Sequence, residues 1–216
     1  PVLDLSIDGA DPVIGDRAFG TTPAEVIPLA TAFIDGVTRS GVTPIVKHIP
    51  GMGRADIDSH QSLPVVKTPV SILEQSDWIP FQVVSGTRWA MTAHIVIPEW
   101  DQEPVTTSER AISHIRSLFG DRMIVSDCLT MGAMTGAIEE RIQQTLDAGV
   151  DLALFSNGSD EERRRAVEAS GDPRVIREEP IELKTLPSST LEMLLQKLRA
   201  VPTPIQSADP TWDRRN

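Results

Sequence analysis

Short apolar runs alternate with longer stretches of mixed polarity along this chain. Residues 1–5, 42–48, 89–97, 123–126 and 152–156 have the length and composition of strands. The stretch between the first two carries helix signals at both ends. Thr22 is placed as an N-cap, Pro23 as the first helical residue and Glu25 as the partner in a capping box. Val26, Leu29, Ala30, Phe33, Ile34 and Val37 then recur at helical spacing as one apolar stripe, which Gly41 ends. Pro28 withholds one backbone donor inside that pattern, and a bend is expected there. Further helices are predicted over 70–84, 108–119, 138–148, 160–169 and 189–200.

Strands separated by helices imply parallel βαβ units with right-handed crossovers. No internal repeat is found. Residues 171–187 are charged and Pro-containing, with weak strand patterns at 175–177 and 181–183. The segment after Val201, with Pro202, Pro204 and Pro210, reads as an irregular tail. One catalytic-type domain over 1–200 and a tail over 201–216 are expected.

Composition narrows the function classes. The chain has 216 residues, 40% of them hydrophobic, enough for one well-buried domain. The net charge of −11 argues against nucleic acid or an anionic membrane as partner, and solubility is the simplest reading of the acidity. No apolar run approaches the roughly 20 residues of a membrane helix. A single cysteine, Cys128, rules out an intrachain disulfide framework and suits a reducing compartment. The chain opens on Pro1 in a strand-like run, which reads as a fragment or processed product with no targeting segment to interpret.

The candidate chemistry sits where apolar runs end. Lys47-His48-Ile49-Pro50-Gly51-Met52-Gly53-Arg54-Ala55-Asp56-Ile57-Asp58-Ser59-His60 is a Gly/Pro-bent polar loop holding two of the four histidines. In parallel α/β folds, binding and catalysis occupy the carboxyl ends of strands. Asp58 and His60, two apart, can meet in an irregular loop. A carboxylate on the imidazole N–H would fix the tautomer and raise the histidine pKa, making a proton shuttle. The plainer alternative is a turn-capping Asp58 beside a solvated His60. Lys47 ends an apolar strand, where an unpaired ammonium is costly to bury, so a ligand-binding role is favoured. Asp127 ends another apolar run and is placed as a nucleophile or general base, or else as the N-cap of the next helix. Arg17, in Gly15-Asp16-Arg17-Ala18-Phe19-Gly20, could clamp a substrate hydroxyl or carboxylate, or pair structurally with Asp16. Cys128 reads as a small buried hydrophobe, His94 as a satisfied core residue and His114 as solvated.

Taken together, these motifs resemble glycoside hydrolase family 3, in its bacterial β-N-acetylglucosaminidase branch. The family's Lys-His-(Phe/Ile)-Pro-Gly-His-Gly…Asp-Ser-His…Leu-Pro pattern is similar to residues 47–64. Gly-Asp-Arg-(Ala/Ser)-Phe-Gly resembles 15–20, Met-Thr-Ala-His resembles 91–94, Ser-Asp-Asp-Leu-x-Met resembles 126–131, and Ala-Gly-x-Asp-x-x-Leu-x-x-Asn resembles 148–157. The likeness covers residue 1 to about residue 160. It implies an α/β fold of the (β/α)8 TIM-barrel type and a retaining mechanism. By resemblance, Asp127 is the nucleophile, His60 the acid/base oriented by Asp58, and Arg17, Lys47 and His48 hold the sugar. The implied substrate is a terminal N-acetylglucosamine β-linked to a muropeptide in peptidoglycan recycling, with no metal and no cofactor, in a cytoplasmic monomer.

Three departures from the family pattern stand out. Met52 replaces a histidine, Cys128 replaces a second aspartate, and roughly the first third is absent, including about three of the eight barrel strands. About five barrel strands are expected in this chain. Other readings are a metal-dependent hydrolase using His48, Asp58, His60 and His94, a truncated non-catalytic sugar-binding homologue, and a phosphorylase with phosphate as second-step acceptor.

Overall fold

The computed structural model describes residues 1–171. The predicted helix at 189–200, the weak strands at 175–177 and 181–183, and the tail lie outside the described residues. Four parallel strands, β1 (Ile45–Ile49), β2 (Trp89–Thr92), β3 (Met123–Cys128) and β4 (Leu152–Leu154), form one sheet in sequential order. The helices are α1 (Pro23–Arg39), α2 (Val70–Leu73), α3 (Ile79–Val83), α4 (Glu109–Phe119), α5 (Ile138–Asp147) and α6 (Asp160–Ala169). The sheet is an open arc of a barrel rather than a closed one among the described residues.

Local signals set the helix boundaries. The Glu25 carboxylate accepts from the amides of Thr21 and Thr22, anchoring the start of α1. The helix continues through Pro28. Ser108 caps α4 by accepting from the Ala111 amide, and Ser159 caps α6 by accepting from Glu162.

Five departures from the sequence pattern have physical causes. Residues 1–5 do not form a full strand: they make one parallel bridge, Val2 to Lys47, so the sheet has four strands rather than five. Pro44 precedes the strand start, and β1 begins at Ile45 instead of Val42. The run 89–97 leaves the sheet after Thr92, and Val96 pairs with Val65 instead. The predicted helix over 70–84 is two short helices, because Pro80 cannot donate to the preceding turn and its ring opposes a continuous helix. Part of the α1 stripe is uncovered: Val26, Ala30 and Ile34 are buried and Val37 is half-buried, while Leu29 and Phe33 are 51% and 48% exposed.

The main core lies between the sheet and its helices, with Trp78 packed on Trp100 at 4.9 Å and edge-on to Phe119 at 6.2 Å. A smaller core of Leu129, Met134, Ile138, Ile142 and Ala166 joins α5 to α6. At the amino end of β3, Arg122 donates to the carbonyls of Phe81, Val84, Thr87 and Phe119, tying the ends of α3 and α4 together. Burial lowers its pKa. Arg122→Ala leaves these carbonyls without their donor, and a loss of about 2 kcal/mol is expected. Urea denaturation checks it through a lower midpoint at unchanged slope.

Candidate active site

β3 extends to Cys128, so Asp127 is the penultimate strand residue rather than a residue beyond the strand. It caps no helix: the next one, α5, takes Ala137 as its N-cap. Asp127 Oδ1 accepts from the Cys128 amide at 2.7 Å, while Oδ2 faces His48 Nε2 at 3.9 Å. One carboxylate oxygen is thus held by backbone. The other lies beyond hydrogen-bond distance of the ring, within range of direct attraction to it.

His48 is buried, and Asp4 holds it there. Asp4 Oδ2 lies 2.7 Å from His48 Nδ1 and accepts from the His48 amide at 3.1 Å, while Oδ1 accepts from the Met52 amide at 2.7 Å. The carboxylate can only accept, so His48 Nδ1 carries the hydrogen and Nε2 turns toward Asp127. The β1–β2 register shifts between Lys47 and Ile49, the irregularity that lets the strand end turn His48 inward. The Lys47–His48 and Ile49–Pro50 peptides are cis. Two further constraints fix the loop. Arg54 Nε donates to Asp77 Oδ2 at 2.8 Å. Gly53 passes so close to the Leu5 carbonyl that an added Cβ would stand 2.1 Å from its oxygen.

Asp58 and His60 pair as their spacing predicts. His60 Nδ1 lies 2.7 Å from Asp58 Oδ1, which also accepts from the His60 amide at 2.9 Å. The His60 side chain is 61% exposed, leaving Nε2 open to solvent or ligand. Burial pushes the Asp58 carboxyl up, and the hydrogen bonds from the His60 amide and ring outweigh it, so its pKa falls below the ordinary value. Backbone bonds dock this loop on the one that follows Asp127: Gly132 N donates to His60 O at 3.1 Å and Ala133 N to Ser59 O at 2.9 Å. A Cβ at Gly132 would stand 2.5 Å from His60 O, so only glycine allows this approach.

His48, Asp58, His60 and Asp127 are therefore gathered on neighbouring strand ends. The other two predicted sugar-binding residues make no such contact. Arg17 donates through Nε and its terminal nitrogen to Val13 O, closing its own turn, and no ion pair joins it to Asp16. Lys47 is half-buried. Among the described residues neither side chain bonds to Asp127 or His60.

Two sequence expectations need correction. Cys128 is buried but not merely apolar: its Sγ meets Thr130 Oγ1 at 3.0 Å, Ser156 Oγ at 2.8 Å and the Ser156 amide at 3.3 Å. Burial raises the thiol pKa, but the hydrogen bonds with Ser156 and Thr130 together outweigh it, for a net decrease. His114 stacks on Trp100 with centroids 5.1 Å apart rather than standing in solvent. His94 is a satisfied core residue, as expected. Among the described residues no three His, Cys, Asp or Glu side chains converge on a metal position. The four ligands of the metal-dependent alternative are instead engaged with Asp4, His60, Asp58 and a Thr106 hydroxyl.

Asp4 was not singled out from the sequence. The signal was available: a carboxylate inside the apolar run Val2-Leu3-Asp4-Leu5 must be paired if that run is buried.

Carboxylates and imidazoles gathered at the C-terminal ends of parallel strands occupy the place of an active site in a barrel-type α/β fold. The chain belongs to the family described as glycosyl hydrolase family 3 N terminal domain, whose model matches residues 1–179. A β-hexosaminidase of Thiobacillus denitrificans is 37% identical over 163 residues, 73% of this chain and 45% of that protein. One from Neisseria meningitidis serogroup B is 36% identical over 204 residues, 91% and 56%. The chain thus spans about half the length of the curated relatives it matches. A family 3 β-N-acetylglucosaminidase from Paenibacillus superposes with a TM-score of 0.74 at 31% identity, covering 97% of this chain and 42% of that one. NagZ from Neisseria gonorrhoeae, solved with N-trifluoroacetyl-D-glucosamine, gives 0.65 at 28% identity, covering 93% and 60%.

The lowered Asp58 pKa predicts a pH signature. The ionised carboxylate contributes stability above the ordinary value of 3.8, and that contribution disappears as pH falls through the lower folded value. The parent is therefore expected to be more stable than Asp58→Asn near neutral pH, with the difference vanishing in acid. Paired thermal melts from pH 7 downward check this.

Proposed function

We propose that the complete protein is a retaining glycosidase that releases terminal β-linked N-acetylglucosamine. The observation that carries this reading is the pairing of Asp127, with Oδ2 unbonded at a strand end, to a docked Asp58–His60 dyad whose Nε2 is open. The named relatives and solved neighbours point the same way.

In the first step Asp127 Oδ2 attacks the anomeric carbon. The bond from that carbon to the leaving oxygen breaks, and the proton on His60 Nε2 passes to that oxygen. Asp58, accepting the Nδ1–H, stabilises the charged ring before transfer and fixes its tautomer afterwards. In the second step His60 Nε2 takes a proton from water, the water oxygen bonds to the anomeric carbon, and Asp127 leaves as a carboxylate. Two inversions give net retention. His48, fixed by Asp4, presents Nε2 beside the nucleophile, where it can hold a sugar hydroxyl. Arg17 and Lys47 are assigned to sugar binding on family likeness. The same likeness supports a muropeptide aglycone, peptidoglycan recycling and a cytoplasmic monomer.

Hydrolysis of p-nitrophenyl N-acetyl-β-glucosaminide by the complete protein tests the reading. Asp127→Ala is expected to lose about 10³-fold or more in kcat, because the covalent step has no substitute. His60→Ala should lose far more on alkyl glycosides than on the p-nitrophenyl substrate, whose leaving group needs no proton. Unchanged turnover in Asp127→Ala would sink the assignment.

A further inference from the structure

A buried hydrogen-bond chain beneath Asp127 is not used by the chemistry above. His94 is 1% exposed, Thr92 and Thr106 are fully buried, and hydrogen bonds link them in series between the two ends of the Asp127–Cys128 segment. The Asp127 amide donates to Thr92 Oγ1 at 3.3 Å. Thr92 Oγ1 lies 2.8 Å from Thr106 Oγ1, Thr106 Oγ1 lies 2.8 Å from His94 Nδ1, and His94 Nε2 lies 3.1 Å from Cys128 O.

The direction of every bond in this chain follows from one fixed acceptor. Cys128 O can only accept, so His94 Nε2 carries its hydrogen. Burial lowers the His94 pKa, outweighing the upward pull of Asp127 and of the bond to Cys128 O, while His48 and His60 push it lower still. The ring is then neutral, Nδ1 is bare, and Thr106 must donate to it. Thr106 has one hydroxyl hydrogen, and its other acceptor, Ala93 O, lies farther off at 3.3 Å. Thr92 must in turn donate to Thr106, which leaves the Thr92 oxygen free to accept the Asp127 amide. Four links thus run one way from the amide of the proposed nucleophile to the carbonyl of its neighbour.

We infer that Thr92, Thr106 and His94 are positioning residues: they clamp the Asp127 amide and the Cys128 carbonyl, the two ends of the Asp127–Cys128 segment, and so fix the Asp127 carboxylate for attack. The inference rests on the nucleophilic role proposed for Asp127. Hydrogen bonds that polarise one another in a dry interior hold a group more tightly than isolated ones. A small displacement of a reacting group costs rate more than binding.

Two measurements on the complete protein test it. Nitrogen-15 NMR of the parent should show His94 as the neutral tautomer, protonated at Nε2 and bare at Nδ1. The opposite tautomer, or a charged ring at neutral pH, overturns the circuit without reference to activity. In steady-state kinetics, Thr92→Val should lower kcat about tenfold or more with KM within about twofold, and Thr92→Ser should restore most of the loss. A Thr92→Val variant with parental kcat, or a Thr92→Ser variant no better than Thr92→Val, overturns the positioning role. No turnover in the parent overturns the glycosidase reading instead, and the tautomer still decides the circuit.

Discussion

A carboxylate cut off from water must be answered by donors, and Asp4 uses one oxygen on His48 within β1 and the other on Met52 just after it. That one side chain joins the first residues of the chain to His48, 44 residues on, and to Met52 in the loop after Ile49. It sets the His48 ring with Nε2 outward, and it fixes Met52 by its amide rather than its side chain. Removing a buried charge's partners, or the charge itself, typically costs several kcal/mol. The geometry of the strand end is therefore held by an interaction that never touches a ligand.

Asp127 is supported from two sides by different means. On one side lies His48, oriented by Asp4. Beneath it lies the Thr92, Thr106 and His94 circuit, which fastens the strand rather than the carboxylate. Toward β4, Ser126 Oγ accepts from the Leu154 amide at 2.8 Å, and Cys128 Sγ takes the Ser156 amide and hydroxyl. The thiol thus keeps acceptor character at a position where the family pattern has a carboxylate. Met52 is buried in the core, so this departure from the family histidine adds apolar packing rather than a polar group at the site.

What the sequence made legible was mostly local. α1 starts where its capping box indicated, and α4 and α6 form close to their expected ranges, because such signals act over three or four residues. The Asp58–His60 dyad was legible for the same reason. The broken helix at Pro80 and the early end of β2 were less so. In the first, proline overrode an apolar period; in the second, Val96 bonds to Pro64 and Val66 and the Ile95 carbonyl takes the Val105 amide, instead of the next strand. Exposure of Leu29 and Phe33 was hidden too, since an apolar stripe shows what a helix can bury, not how wide a face its neighbours cover. Asp4, Thr92 and Thr106 escaped notice because their partners are distant in sequence and their residue types are ordinary.

The account stands on Asp127 as the atom donor that becomes bonded to sugar. Mass spectrometry of the complete protein, quenched in acid during turnover of an activated N-acetyl-β-glucosaminide and digested, measures this most directly. The account predicts one N-acetylglucosaminyl unit added to the peptide that contains Asp127, and to no other. An adduct on a different residue, or turnover with inverted product configuration, would contradict it.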